Sequence, residues 1–116
     1  MFVVNYYQLP HGEKPVKNFI DNLDINMRTK ALGSIEILEK YGNKLREPYS
    51  KSMGNGIYEL RIRFARDITR IFYFFIINKQ IILTNGFIKK TDKTPPGEIA
   101  LARTYKADYE RRFKIK

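Results

Sequence analysis

Residues 57–95 read IYELRIRFARDITRIFYFFIINKQIILTNGFIKKTDKTP, and the fold follows from them. Three runs in this stretch carry the β-branched and aromatic side chains that suit a packed, pleated surface. From Ile57 to Phe64 the pattern alternates. Tyr58, Leu60, Ile62 and Phe64 share one face, and Glu59, Arg61 and Arg63 share the other. The pattern predicts a half-buried strand with cations on its open face. From Ile68 to Ile77 the run is apolar on both faces after Arg70, as a central strand covered on both sides requires. From Ile81 to Ile88 the third run is apolar until Asn85-Gly86. The polar breaks Ala65-Arg66-Asp67 and Asn78-Lys79-Gln80 are the length of hairpin loops, so the meander is antiparallel.

Outward from the meander, Phe2 to Tyr7 reads as a strand, and Gln8 to Lys14, with Pro10 and Gly12, as a turn. Pro15 opens a helix in which Val16, Phe19, Ile20 and Leu23 form one apolar stripe. Asp24 is placed to cap a second helix, with Met27, Ala31, Ile35, Leu38 and Tyr41 on one face, Leu32 beside them and Gly42-Asn43 as its stop. Helices joined so tightly form a hairpin that packs on the sheet. Residues 45–56 read as a loop with a short extended piece at Tyr49 to Met53. Thr94 is placed to cap a C-terminal helix whose first turn holds Pro95, Pro96 and Glu98. With the first strand beside the meander, the expectation is one α+β domain over residues 1–116. It has an antiparallel four-stranded sheet, an N-terminal helical hairpin and a C-terminal helix.

The chain has 116 residues, enough for one core, and 14% aromatics to fill it. It holds no cysteine, which excludes disulfides, thiol catalysis and cysteine-based zinc sites. The first residues lack the basic-then-apolar order of a signal peptide, and the longest apolar run is too short to span a bilayer. A cytoplasmic protein without membrane contact is expected. Twenty-two basic against twelve acidic residues leave a net charge of +10, which favours a polyanionic partner.

Most chemical motifs are missing. His11 is the only histidine and lies in a Pro/Gly turn, where a solvated side chain is the ordinary outcome. Gly54-Asn55-Gly56 lacks the ending of a phosphate loop, and the acidic residues have no metal-ligand spacing, so neither metal nor cofactor is expected. What remains is basic: Arg61, Arg63, Arg66, Arg70, Lys89, Lys90 and Lys93, on or at the ends of adjacent strands. Arg70 interrupts an apolar run, where a cation must pair with Glu59 or Asp67 or reach an opening. With RNA as substrate, such a site has chemistry open to it. The 2′-hydroxyl is an internal nucleophile, and arginine and lysine stabilise charge building on the phosphate. Proton removal and delivery still need groups within reach.

GIYELRIR, TRIFYFF and ILTNGFIKKTDKTPPGEIALA, in that order, resemble the RelE/ParE superfamily of type II toxin–antitoxin toxins, in its phage-related HigB-like branch. The resemblance implies a RelE-like, microbial-RNase-like fold. It implies a metal-independent, ribosome-dependent mRNA endoribonuclease (an mRNA interferase) that inhibits translation. The implied partners are a small helix-turn-helix antitoxin, the 30S subunit and mRNA. By position, the family's catalytic basic groups fall on Arg61, Arg70, Lys89 and Lys90, and Arg63, Arg66 and Lys93 are the RNA-binding candidates. Relatives often carry histidine just before the GF pair. Here the residue is Asn85, which cannot act as general acid or base. If that histidine is catalytic in relatives, this chain cuts differently, more slowly or not at all. Two further readings therefore stand beside the first: a ParE-like gyrase inhibitor, and a non-catalytic module that binds antitoxin or RNA.

Overall fold

A computed structural model describes residues 1–89 and 93–114. In chain order the elements are β1 (Val3–Tyr6), α1 (Pro15–Asp21), α2 (Ile25–Tyr41), a 3-10 turn (Gly42–Lys44), β2 (Ser50–Gly54), β3 (Ile57–Phe64), β4 (Asp67–Ile76), β5 (Gln80–Lys89) and α3 (Pro96–Arg112). One sheet runs β1-β5-β4-β3-β2. The α+β class and the β3–β4–β5 meander are as expected, but the sheet has five strands rather than four and is mixed. The first strand does lie beside the meander, yet it pairs with β5 in parallel, Val4 opposite Ile81 and Tyr6 opposite Leu83.

The additional strand is β2. Lys51, Ser52 and Gly54 give it little intrinsic β preference; pairing with β3 creates it. Its signal in the chain is Asn55-Gly56, where both residues take positive φ, as a two-residue hairpin turn of the primed type demands.

Helices cover both sides of the sheet. On one side Val16, Ile20, Leu23, Met27, Ala31, Ile35 and Leu38 pack on Leu60, Ile62, Ile71, Tyr73, Ile81 and Leu83. Asp24 caps α2 by accepting from the N–H groups of Asn26 at 3.1 Å and Met27 at 3.3 Å. Tyr41 and Leu32 are exposed rather than part of this core; at the end of α2 the Phe2 ring fills the space over Gly42 instead. On the other side α3 buries Ala102 against Ile57, Phe72 and Phe87, and stacks Tyr105 on Tyr7 and Tyr109 edge-on to Phe74.

The second layer changes two expectations. The face of β3 carrying Glu59 is closed by α3 and its approach, so it is not an open cationic face along its whole length. Phe64, the last residue of β3, is exposed. Thr94 does not cap α3. Pro95 holds the cap position, and the Thr94 hydroxyl turns back to the sheet.

Candidate nucleic-acid interface

The β3–β4 register sets Arg61 directly opposite Arg70. Side chains directly opposite in an antiparallel pair share a face, and like charges there repel. Arg63, two residues along β3 from Arg61, joins them on that face. On β5 Phe87 stands opposite Arg70 and Lys89 opposite Ile68, which puts the half-buried Lys89 on the same face as well.

Among the described residues, one buried carboxylate offsets this charge. Glu59, 1% exposed, accepts from Arg61 Nε at 3.3 Å through Oε1 and from the Thr94 hydroxyl at 2.8 Å through Oε2. Arg70 Nε lies 3.4 Å from the same Oε1, within ion-pair reach but out of line for a hydrogen bond, and it has no hydrogen-bond partner among the described residues. Of the two acids the sequence offered to Arg70, Glu59 is therefore the partner. Asp67 sits exposed at the start of β4, opposite Phe64. Arg70 is 6% exposed. Burial lowers its pKa; Glu59 raises it, and Arg61 and Arg63 lower it further. An arginine stays charged even so. Arg61, Arg63, Arg70 and Glu59 together carry 3 − 1 = +2.

β2 accompanies β3 only as far as Leu60, and the next backbone donor, Arg61 N–H, bonds to Tyr49 C=O at 2.9 Å. Where β2 ends, a groove of about 330 Å³ opens around the β3 edge. Arg61, Arg63 and Arg70 line it, with Tyr49 and Pro48 on one wall and Lys30, Ser34 and Ile37 of α2 on the other. A larger hollow, about 670 Å³ around Phe2, Tyr41 and Phe75, shares no residue with the arginines.

The groove suits a phosphodiester. It is cationic, its Arg70 side chain is buried, and an exposed tyrosine lines it. Arg66 lies exposed in the β3–β4 turn at the same end of the sheet, and Lys93 lies exposed next to Thr94. Lys90 lies outside the described residues. The sequence offered Glu59 as a partner of Arg70 but not as a counter-ion shared with Arg61, and it did not point to the groove walls, Tyr49 and Lys30 among them. Only Glu59 left a signal, as a carboxylate alternating with two arginines.

Asn85 belongs to the scaffold. It lies with Thr84 in a bulge opposite Phe72, where the register of β4 and β5 shifts. It is 3% exposed, accepts from Thr84 Oγ1 at 2.8 Å, and donates to the Glu98 backbone oxygen at 3.1 Å and side-chain oxygen at 3.3 Å. Its amide fastens the first turn of α3 to the sheet.

Residues 18–107 match the family model described as Phage derived protein Gp49-like (DUF891). The chain belongs to this Gp49-like family. A match of that kind is consistent with a toxin-like protein of phage origin. No curated protein matches the chain. No helix among the described residues is long and apolar enough to cross a membrane, and no group of three or more metal-ligating side chains occurs among them.

Proposed function

We propose that this Gp49-like chain is the toxin of a type II toxin–antitoxin pair in the RelE/ParE superfamily, close to its HigB-like branch. In this reading it is a metal-independent endoribonuclease that cuts mRNA on the ribosome. The observation that carries the reading is the facing pair Arg61 and Arg70, which share one buried carboxylate and open on a groove. Glu59 supplies one negative charge to two cations that repel, which leaves the pair with a net positive charge. A phosphodiester in the groove is the anion that balances it. The substrate's own 2′-oxygen attacks phosphorus, the bond to the 5′-oxygen breaks, and the proton lost by the 2′-hydroxyl is replaced on the 5′-oxygen. The guanidinium groups stabilise the charge that gathers on the non-bridging oxygens, and the groove supplies alignment. The protein acts in the cytoplasm, on the 30S subunit, and is held inactive by a small helix-turn-helix antitoxin.

The test is induced expression of wild type beside Arg70→Ala in a bacterial host, with transcript 5′ ends mapped and folding of both proteins checked by circular dichroism. Growth arrest with new ends inside translated frames, lost in the folded variant, is the expected result. Arrest with transcripts intact refutes it. A second reading, a ParE-like gyrase inhibitor or a non-catalytic module that binds antitoxin or RNA, is favoured by Asn85, whose amide is committed to α3 and supplies no acid or base. Gyrase-trapped DNA breaks, or complex formation without toxicity, decides for it.

A further inference from the structure

We propose that Glu59 is a positioning residue. It holds the guanidinium groups of Arg61 and Arg70 side by side as a preformed phosphodiester cradle. Through Thr94 it ties the segment entering α3 to that cradle. The proposal deepens the nuclease reading and rests on it for the reaction, though not for the geometry.

The two oxygens of Glu59 go to different parts of the fold. Oε1 lies between Arg61 on its own strand, two residues away, and Arg70 diagonally across on β4. Oε2 takes the hydroxyl of Thr94, 35 residues along the chain. One carboxylate thus sets three groups from three segments relative to one another. In both ion pairs the closest approach is through Nε, at the inner end of the guanidinium. Held there, an arginine can present its terminal fork of N–H groups to a phosphate in the groove. The Nε of Arg70 is buried, beside Glu59 and not yet in line with it. A small rotation completes that bond when an anion draws the fork outward. Glu59 itself is too buried to meet a substrate, so it acts through the arginines.

A mere counter-ion and a positioning residue predict opposite results on neutralisation. Glu59→Gln makes the groove more positive. If charge balance were its only role, substrate would bind more tightly and turnover would hold. If it positions the arginines, their repulsion splays them, so turnover falls while attraction to RNA survives. Glu59→Asp keeps the charge and shortens the reach, and a positioning role makes it nearly as damaging. The experiment measures cleavage of a defined mRNA on programmed ribosomes, together with the arginine Nε–H signals of the ¹⁵N-labelled protein. We expect both variants to lose about tenfold or more in kcat with KM within about threefold. Restricted, slowly exchanging Nε–H signals of Arg61 and Arg70 in wild type should become averaged in both. Thr94→Val should lose part of the rate and Thr94→Ser should restore it; this pair serves if the Glu59 variants do not fold. Unchanged kcat in Glu59→Gln, or wild-type Nε–H signals that are already averaged, overturns the proposal. If wild type cuts nothing but its Nε–H order depends on Glu59, the nuclease reading fails and the cradle stands.

Discussion

Arg70 combines features that a structural ion pair does not need. It is buried, faces another arginine, and shares with that arginine the one carboxylate it pairs with among the described residues. Arg70→Lys keeps the charge and loses the planar fork, so it should reduce cleavage by about tenfold or more, close to the loss in Arg70→Ala. Wild-type rates in Arg70→Lys would mean that only charge matters there. Asn85 carries the opposite expectation. Because its amide is sealed between Thr84 and Glu98, Asn85→His should restore no acid–base function. Fitting an imidazole into that space should cost about 1–3 kcal/mol, read as a lower melting temperature without faster cleavage. Faster cleavage would show that this position reaches the reacting atoms. Gly86 is constrained in the same region. A Cβ there would lie 2.6 Å from the Phe19 ring and 3.2 Å from the Arg70 carbonyl oxygen. The ring can shift and the backbone cannot, so Gly86→Ala should destabilise by about 1–3 kcal/mol in chemical denaturation and disturb the Arg70 backbone.

At the scale of elements, α3 is held at both ends by polar contacts and along its middle by rings. Near its C-terminus Tyr7 donates to Asp108, which also pairs with Arg111 and Arg112, and Arg112 reaches the Gln8 carbonyl. The Tyr7 hydroxyl bond, ahead of the arginines, holds the Asp108 carboxyl below its usual range. A depressed folded pKa means this support is complete above the ordinary carboxylate range and is lost as pH falls through and below it. Burial, with Asp108 adding to it, pushes Tyr7 from 10 up to about 12. Burial does the same to Tyr73 on β4, raising it to about 12 against the pull of Ser50. A raised tyrosine pKa favours the fold while the unfolded side chain is also protonated. Stability should therefore decline between pH 10 and about 12. Thermal melts across pH 3–12 should show both losses, and Tyr7→Phe should weaken each. A flat profile above pH 10 would show that neither hydroxyl is shielded.

For the whole molecule, part of the +10 charge is gathered where strands bring arginines together. Binding of single-stranded RNA should weaken with salt. If Arg61, Arg63, Arg70 and Lys89 together neutralise three to four phosphates, log K should fall against log salt with a slope of about −2 to −3. A slope near zero would remove RNA from the list of partners. The two-sided cover of the sheet shapes this surface. The α1–α2 layer buries one face, α3 buries much of the other, and the arginines lie where β2 stops short and leave an edge open.

Local signals determined much of this. Alternation and hairpin breaks marked β3, β4 and β5, because a strand's period of two is written into neighbouring residues. Pro15, Asp24 and Gly42 bounded the first two helices, because capping uses groups a few residues apart. The cationic candidates, Lys90 among them, were readable as a set, and the structure places Arg61, Arg63, Arg70 and Lys89 on one face. The tertiary structure decided what depends on partners far along the chain. It made β2 a strand by pairing it with β3 and ran β1 parallel to β5. It gave Thr94 to Glu59 instead of to α3, and chose Glu59 over Asp67 for Arg70. It also turned Asn85 into a tie for α3. Each of these turns on register and on which layer covers which face. A slip of one residue would exchange the two faces of a strand while leaving its composition unchanged.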